Sequence, residues 1–492
     1  MQEIHVSARS VRSFESLLGG ERMRALEARA EELRPLLGQR AIWNINSTAS
    51  GGGVAEMLRS LLRYARGLQI DVRWLVLAAP PEFFGLTKRL HNALHGSAGD
   101  GSPLGPEQAA LFTRVTQENA GLLHTLIRRD DIVICHDPQT AGLVPILLQR
   151  GALVVWRCHI GHEQHENPEV DRGWEFLRPY LQDIPLAVFS RTAYAPAWLR
   201  GKRTIVVAPN IDPLSAKSQL LDQSTIQAIL THVGLVAGSS EHGTRLFSRD
   251  DGSTGRVDRQ AETMRVGHAP SWETPLVVQV SRWDAMKDPV GVLRGFTKLL
   301  TPEAPKGAHL VLAGPSVHSV ADDPEGAKVF GELQQVFLAL PPEQRAYVHL
   351  AALPMEDGEE NAAIVNALQR HAAVIVQKSL VEGFGLTVTE ALWKRRPVVA
   401  SAVGGILDQI RDGIDGLLVH DPKDLEEFAG LLKRVLSDDR LSDRLGQAGH
   451  DRVRENYLCV TALERWQELL QSLLERVSRP GLRESQLESP AR

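Results

Sequence analysis

The chain has 492 residues, 43% apolar and 23% charged, a composition that excludes wholesale disorder and a length that points to several domains rather than one enlarged core. Its 55 Lys and Arg against 60 Asp and Glu leave a net charge of -5, which gives no support to a mainly electrostatic hold on nucleic acid or an anionic membrane. Cys135, Cys158 and Cys459 make neither a disulfide framework nor a thiolate zinc cluster, no apolar run approaches a membrane span, and the N-terminus lacks a signal-peptide core. A reduced, cytoplasmic setting is the expectation.

In chain order, residues 14–37 read as a helix with Arg and Glu between apolar positions. A strand at 41–45 stops at a Ser- and Gly-rich turn ending in Gly51, Gly52 and Gly53, and a helical pattern follows over 54–62. Further strands are expected at 72–77, 132–135, 152–156, 185–189 and 204–207. They are short, apolar on both faces and separated by helices, the pattern of a mostly parallel sheet covered by helices. Residues 208–215 break the series and mark a domain boundary. A helix over 220–233 leads into a Gly-, Ser-, Arg- and Asp-rich stretch, 238–272, which reads as a surface elaboration with short helices such as 258–264. A second series then runs through strands at 276–280, 309–313, 347–350, 373–377, 397–400 and 416–419, with helices at 290–300, 328–340 and 361–369. Helices over 425–436 and 441–457 close it, and 461–477 is a last apolar-striped helix. Two Rossmann-like lobes fit this order better than one barrel.

Three places carry chemistry. The Gly51–Gly53 turn lies between a strand and a helix, where glycine lets a ligand approach closely and the helix start offers N–H donors; an ordinary tight turn reads the same way. It is neither a dinucleotide fingerprint nor a P-loop. Arg282 and Lys287 follow the strand at 276–280 directly, a directional fork and a compact charge suited to a diphosphate, or else solvated surface charges. Glu382, Gly383, Phe384, Gly385, Leu386, Thr387 and Glu390 follow the strand at 373–377 and open a helix. Amides near Gly385, Leu386 and Thr387 suit phosphate oxygens, Glu382 suits sugar hydroxyls and Glu390 a ribose; the plain alternative is a cap and a solvated helix face. The polar loop after His159 lacks H-E-x-x-H, so no metal site is expected. Trp174, Trp272, Trp283 and Trp393 are read as packing residues before sugar platforms.

Glu382 through Glu390 resembles the E-x7-E motif of retaining nucleotide-sugar glycosyltransferases of family 4, and Arg282 with Lys287 matches that family's basic pair. More narrowly, His136-Asp137-Pro138-Gln139, Trp156-Arg157-Cys158-His159-Ile160, Ile211-Asp212-Pro213-Leu214-Ser215 and Gln279-Val280-Ser281-Arg282-Trp283-Asp284 resemble the glycosyltransferring trehalose synthases and the related trehalose phosphorylases. The similarity runs from about Ile42 to the last helix. Related enzymes often carry Asp after the His-Ile pair, where this chain has Gly161.

The resemblance implies an α/β GT-B fold, two Rossmann-like lobes with an interlobe active-site cleft. It implies an acceptor lobe over 1–210, a donor lobe over 211–458 with its elaboration at 238–272, a C-terminal helix over 459–478 returning to the first lobe, and a flexible tail over 479–492. His159, Arg282, Lys287 and Glu382 are the implied catalytic residues. Gly51, Gly52, Gly53 and Gly383 to Thr387 join Arg282, Lys287, Glu382 and Glu390 in holding the donor, while His136, Asp137 and Arg157 serve the acceptor. The implied reaction transfers glucose from ADP-, UDP- or GDP-glucose to free glucose, making α,α-trehalose and a nucleoside diphosphate with retention and without a cofactor or metal. Trehalose phosphorylase, transfer to another sugar acceptor, and an inactive sugar-binding protein are the competing readings. A homodimer is expected, with neither nucleic acid nor membrane as partner.

Overall fold

The computed structural model describes residues 1–49, 52–163, 166–200, 204–238, 243–300, 307–316 and 324–477. Gly51 and the tail over 479–492 lie outside the described residues. The chain divides into two compact units, one of Met1–Asn210 with the segment beginning at Cys459, the other of Ile211–Leu458.

The first unit is built on a sheet of strands β1 (Gln2–Ile4), β2 (Ile42–Asn46), β3 (Val72–Val76), β4 (Ile132–His136), β5 (Leu153–Cys158), β6 (Ala187–Phe189) and β7 (Thr204–Val206). Their order is β1-β3-β2-β4-β5-β6-β7, all parallel except β1. Strands β2 and β4 are buried along their whole length, which is why they read as unbroken apolar runs. Trp43 and Trp156 fill the core on one face with Phe83, Phe112 and Phe189. The indole N–H of Trp43 is satisfied by the buried Asp131 carboxylate at 3.1 Å, and that of Trp74 by Asn46 at 2.8 Å. The last helix, Cys459–Val477, packs into this unit, and Arg22 grips Glu464 on it through two bonds of 2.8 Å.

In the second unit β8 (Leu246–Ser248) and β9 (Thr254–Arg256) form a small hairpin. The sheet proper contains β10 (Glu262–Met264), β11 (Leu276–Val280), β12 (His309–Pro315), β13 (Val348–Leu353), β14 (Val374–Gln377), β15 (Val398–Ser401) and β16 (Leu417–Val419). The order is β10-β13-β12-β11-β14-β15-β16, parallel except for β10. Strand order reverses between β2 and β4 in the first unit and between β11 and β14 in the second. Ligands of open α/β sheets bind outside the carboxyl ends of strands at such switch points. Among the described residues no helix is long and apolar enough to cross a membrane.

Three expectations are corrected. The helix over 14–37 breaks at Gly19, whose φ of 87° turns the chain between Glu15–Leu18 and Gly20–Leu37. The helix expected over 258–264 is instead an extended segment ending in β10, paired antiparallel to β13 with Thr263 opposite Ala351. The elaboration, read as poor in strands, carries three of them. Each spans three residues, too few to show a period. Phe247 of the hairpin lies over Gly255, where an added Cβ would meet its ring at 2.4 Å, and Arg249 pairs with Asp357 and Glu359 at the start of the helix Gly358–His371.

A pH dependence follows from two histidines on neighbouring strands of this sheet. His309 and His349 stack at 8° and share a 2.8 Å hydrogen bond. Burial, with His309 and Arg265 nearby, lowers the His349 pKa to about 3. The folded state therefore binds fewer protons than the unfolded chain once the pH falls below the ordinary histidine value. Stability is unaffected at higher pH and declines from about pH 6.5 downward by up to ~1.4 kcal/mol per pH unit from this group. Unfolding free energies from urea titrations at several pH values between about 6.5 and 4 should fall less steeply with falling pH for His349→Asn than for the parent.

Candidate active site

At the carboxyl end of β11 the chain turns through Asp284, whose carboxylate caps the Met286 amide at 2.8 Å and accepts from Arg282 at 3.3 Å. Arg282 is otherwise turned outward, 57% exposed. Lys287 points the other way, and its Nζ lies 2.5 Å from Glu382 Oε2. The backbone is stapled at the same place: Leu380 N–H donates to the Met286 carbonyl at 2.7 Å, and Gln279 Nε2 to the Lys287 carbonyl at 3.0 Å. Glu382 Oε2 also accepts from Ser379 Oγ at 3.1 Å. The two loops that follow β11 and β14 are thus joined through one buried carboxylate.

A second ion pair lies beside the first. Lys378, fully buried, pairs with Asp288. Asp288 has a left-handed φ of 47° and caps the helix Pro289–Thr297 through the Gly291 amide at 2.9 Å. Sequence reasoning missed Lys378; its only signal was a lysine placed between a buried apolar strand and a glycine loop. Glu390 does not share the Glu382 partners: it is buried within the helix Leu386–Trp393 and faces Lys217 at 3.7 Å. Gly385, at φ 86°, caps that helix, so the amides of Leu386 and Thr387 open its first turn, where N–H groups have no intrahelical acceptor.

In the first unit the chemistry gathers where β4 and β5 end, with His136 and Arg157 in register. Asp137, at a left-handed φ of 62°, directs its carboxylate at His159: Oδ1 accepts the His159 backbone N–H at 2.8 Å, and both oxygens lie 3.1 Å from Nδ1. Arg157 Nε donates to His159 Nε2 at 3.1 Å. The ring is therefore a neutral imidazole with its proton on Nδ1, facing Asp137. Burial lowers the His159 pKa and Arg157 lowers it further, against the opposing pull of Asp137. For Asp137, burial raises the carboxyl pKa, but the facing His159 ring and the hydrogen bonds His159 donates overrule it and hold the pKa below its ordinary value. His136 stacks on His159 at 5.4 Å between centroids and meets Asn44 at 3.0 Å through Nε2. Burial pushes its pKa far down.

Arg157 is 2% exposed and lies under the Trp466 ring, 6.0 Å from its centroid. Burial lowers its pKa to about 10. Arg157 Nη1 and His136 Nδ1 are buried and find no hydrogen-bond partner among the described residues. Gly52 caps the helix Gly53–Gly67, and a Cβ built on it would meet nothing within 4 Å, so packing gives no reason for glycine there. Gly161 is the opposite case: a Cβ would strike Tyr194 at 2.4 Å, so the aromatic ring occupies the space that an Asp side chain would need. Trp174, Trp283 and Trp393 are core residues, the last two with N–H bound to the Pro315 and Ser218 carbonyls, and Trp272 stacks on His371.

The structure thus brings Lys287, Glu382 and the Gly385 helix start together in one unit, and His136, Asp137, Arg157 and His159 together in the other. The family profile described as "Trehalose synthase, N-terminal domain" matches residues 44–196, and that of "Glycosyl transferases group 1" matches residues 260–452. The chain is 33% identical over 474 residues to a trehalose synthase of Pyrococcus horikoshii, covering 96% of this chain and 99% of that one. It is 25% identical to a trehalose phosphorylase of Pleurotus pulmonarius over 86% of this chain and 55% of that protein. Its fold matches an α,α-trehalose-phosphate synthase (UDP-forming) from Burkholderia vietnamiensis with a TM-score of 0.65 at 16% identity, over 88% of this chain and 98% of that one. The chain belongs to the trehalose synthase and trehalose phosphorylase group of GT-B glycosyltransferases, and its reaction is a trehalose-related glycosyl transfer.

Proposed function

We propose that the protein transfers glucose from a nucleoside-diphosphate glucose to the anomeric hydroxyl of free glucose, making α,α-trehalose with retention at the donor carbon. The observation that carries this reading is the Lys287–Glu382 pair beside the Gly385 helix start at a switch point. An ammonium has three N–H donors, so Lys287 can keep Glu382 and still receive a phosphate oxygen. Arg282, with its exposed fork, takes the second phosphate together with the Gly383–Thr387 backbone. Glu382 orients the donor sugar, and Glu390 holds the ribose. The unit 211–458 serves the donor in this reading, and 1–210 the acceptor.

The bond from donor C1 to the diphosphate oxygen breaks, and its electron pair leaves with the nucleoside diphosphate. The anomeric oxygen of the acceptor glucose bonds to C1 on the same face, and its proton passes to the departing phosphate. Lys287 and Arg282 stabilise the charge that develops there. His159 has both ring nitrogens engaged, which favours a neutral, fixed element supporting the oxocarbenium-like state over a covalent nucleophile or a free base. Arg157 Nη1 and His136 Nδ1 are the polar atoms left for acceptor hydroxyls. A reducing cytoplasm suits the three buried free thiols.

The test is a matrix of ADP-, UDP- and GDP-glucose against glucose, glucose 6-phosphate, and trehalose with inorganic phosphate. The expected result is α,α-trehalose and nucleoside diphosphate in equal amounts with glucose as acceptor. Phosphate-dependent loss of trehalose to glucose 1-phosphate, with no activity on any nucleotide donor, would overturn it in favour of the phosphorylase.

A further inference from the structure

The loop that opens the helix Leu386–Trp393 is held from behind by a residue outside the motif. Gln409, fully buried, ends the short helix Ile406–Gln409. Its Nε2 donates to the Phe384 carbonyl at 2.5 Å, with the Gly385 and Gly405 carbonyls each at 3.4 Å. Its Oε1 accepts from Thr389 Oγ1 at 2.6 Å. The Phe384 carbonyl, which can only accept, fixes which way the amide faces: the –NH2 must meet the loop, and Oε1 is left to take the Thr389 hydroxyl proton. The reverse orientation would set Oε1 against the Phe384 carbonyl. The Gln409 backbone is itself anchored, its carbonyl accepting from Arg452 Nε at 2.8 Å.

This arrangement controls the direction of the loop's amides. A trans peptide is planar, with its C=O and N–H pointing oppositely. Pinning the Phe384 carbonyl to Gln409 therefore sends the Gly385 N–H the other way. One peptide earlier, the Gly405 N–H binds the Gly383 carbonyl at 3.0 Å and sets the Phe384 N–H by the same geometry. Gly405 must be glycine for this approach, since a Cβ would lie 2.6 Å from Phe384 Cα. The left-handed Gly385 then turns the chain into the helix, whose first amides join the same set.

We infer that Gln409, supported by the Thr389 hydroxyl, is a positioning residue for the donor: it holds the Gly383–Gly385 loop so that its amides are directed at the diphosphate before the donor arrives. The inference rests on the proposed use of that loop for a nucleoside diphosphate. Gln409 touches no substrate atom. Its effect is preorganisation, so it belongs in diphosphate affinity and donor KM and not in glucose KM.

The test measures binding of ADP, UDP and GDP to the full chain by calorimetry, then donor and glucose KM with the donor whose diphosphate binds most tightly. Gln409→Glu keeps shape and the Thr389 acceptor but sets a carboxylate against the Phe384 carbonyl. It should raise the diphosphate Kd and the donor KM by about tenfold or more, with glucose KM unchanged. Thr389→Val, which leaves the buried Gln409 Oε1 without its donor, should shift both in the same direction by about threefold, and Thr389→Ser should return them to the parent values. The Thr389 pair keeps the test informative if Gln409→Glu does not fold. Parent-like Kd in both Gln409→Glu and Thr389→Val, or an equal loss in Thr389→Ser and Thr389→Val, overturns the inference while leaving the donor reading standing. A parent protein that binds none of the three diphosphates overturns the donor reading itself.

Discussion

Lys287→Met is expected to lower kcat/KM for glucosyl transfer by about 10³-fold, the loss typical of removing one preorganised group that meets charge developing in the transition state. The leaving diphosphate gains negative charge as C1 departs, and Lys287 is the compact cation placed where β11 ends. The same change takes the cation from the buried Glu382, which retains Ser379 and Gln377 as donors. Breaking a buried pair from one side costs up to about 3–5 kcal/mol, so a fall in Tm should accompany the fall in activity. Lys287→Met combined with Glu382→Gln, set against Glu382→Gln alone, separates the two effects. The neutral amide no longer needs a cation, so Tm should match that of Glu382→Gln while activity falls well below it. Activity and Tm both equal to those of Glu382→Gln would show that Lys287 acts on folding and not on the leaving group.

Asp137→Asn is expected to reduce kcat by about 10²-fold or more while leaving nucleoside-diphosphate affinity unchanged, because an amide neither fixes the Nδ1–H tautomer nor offers two anionic oxygens to His159. The sign of the pH dependence discriminates between roles. Asp137 raises the His159 pKa against burial, so removing its charge lowers that pKa further and leaves the ring neutral. The loss should therefore be uniform between about pH 6 and 8, where a neutral ring stays neutral. Activity of Asp137→Asn that returned at either end of that range would identify His159 as a proton-transfer group instead of a fixed neutral support.

How far sequence alone reaches depends on whether a signal is local. Strands β2, β4, β11, β12 and β14 are buried on both faces and bounded by polar turns, so their apolar runs are legible. Strands β1 and β10 are three-residue edges, joined to their sheets mainly through backbone hydrogen bonds that leave little mark on side-chain pattern. Gly19 is invisible as a break because the apolar spacing resumes after it. At the site, the stretch from Glu382 to Glu390 is legible because its glycine, helix start and carboxylates are contiguous. Lys378 and Gln409 are not, since Lys378 finds Asp288 90 residues away and Gln409 reaches Phe384 and Thr389 across 25 and 20 residues. The inward turn of Arg157 was likewise beyond reach: the Trp466 ring that covers it belongs to the last helix.

The structure of the protein with a bound nucleoside diphosphate tests the central claim most directly. The account predicts phosphate oxygens within about 3 Å of Lys287 Nζ and of the Gly385 to Thr387 amides, the range of charge-assisted hydrogen bonds. A diphosphate bound with Lys287 still facing Glu382 alone, and no phosphate oxygen at that helix start, would contradict it.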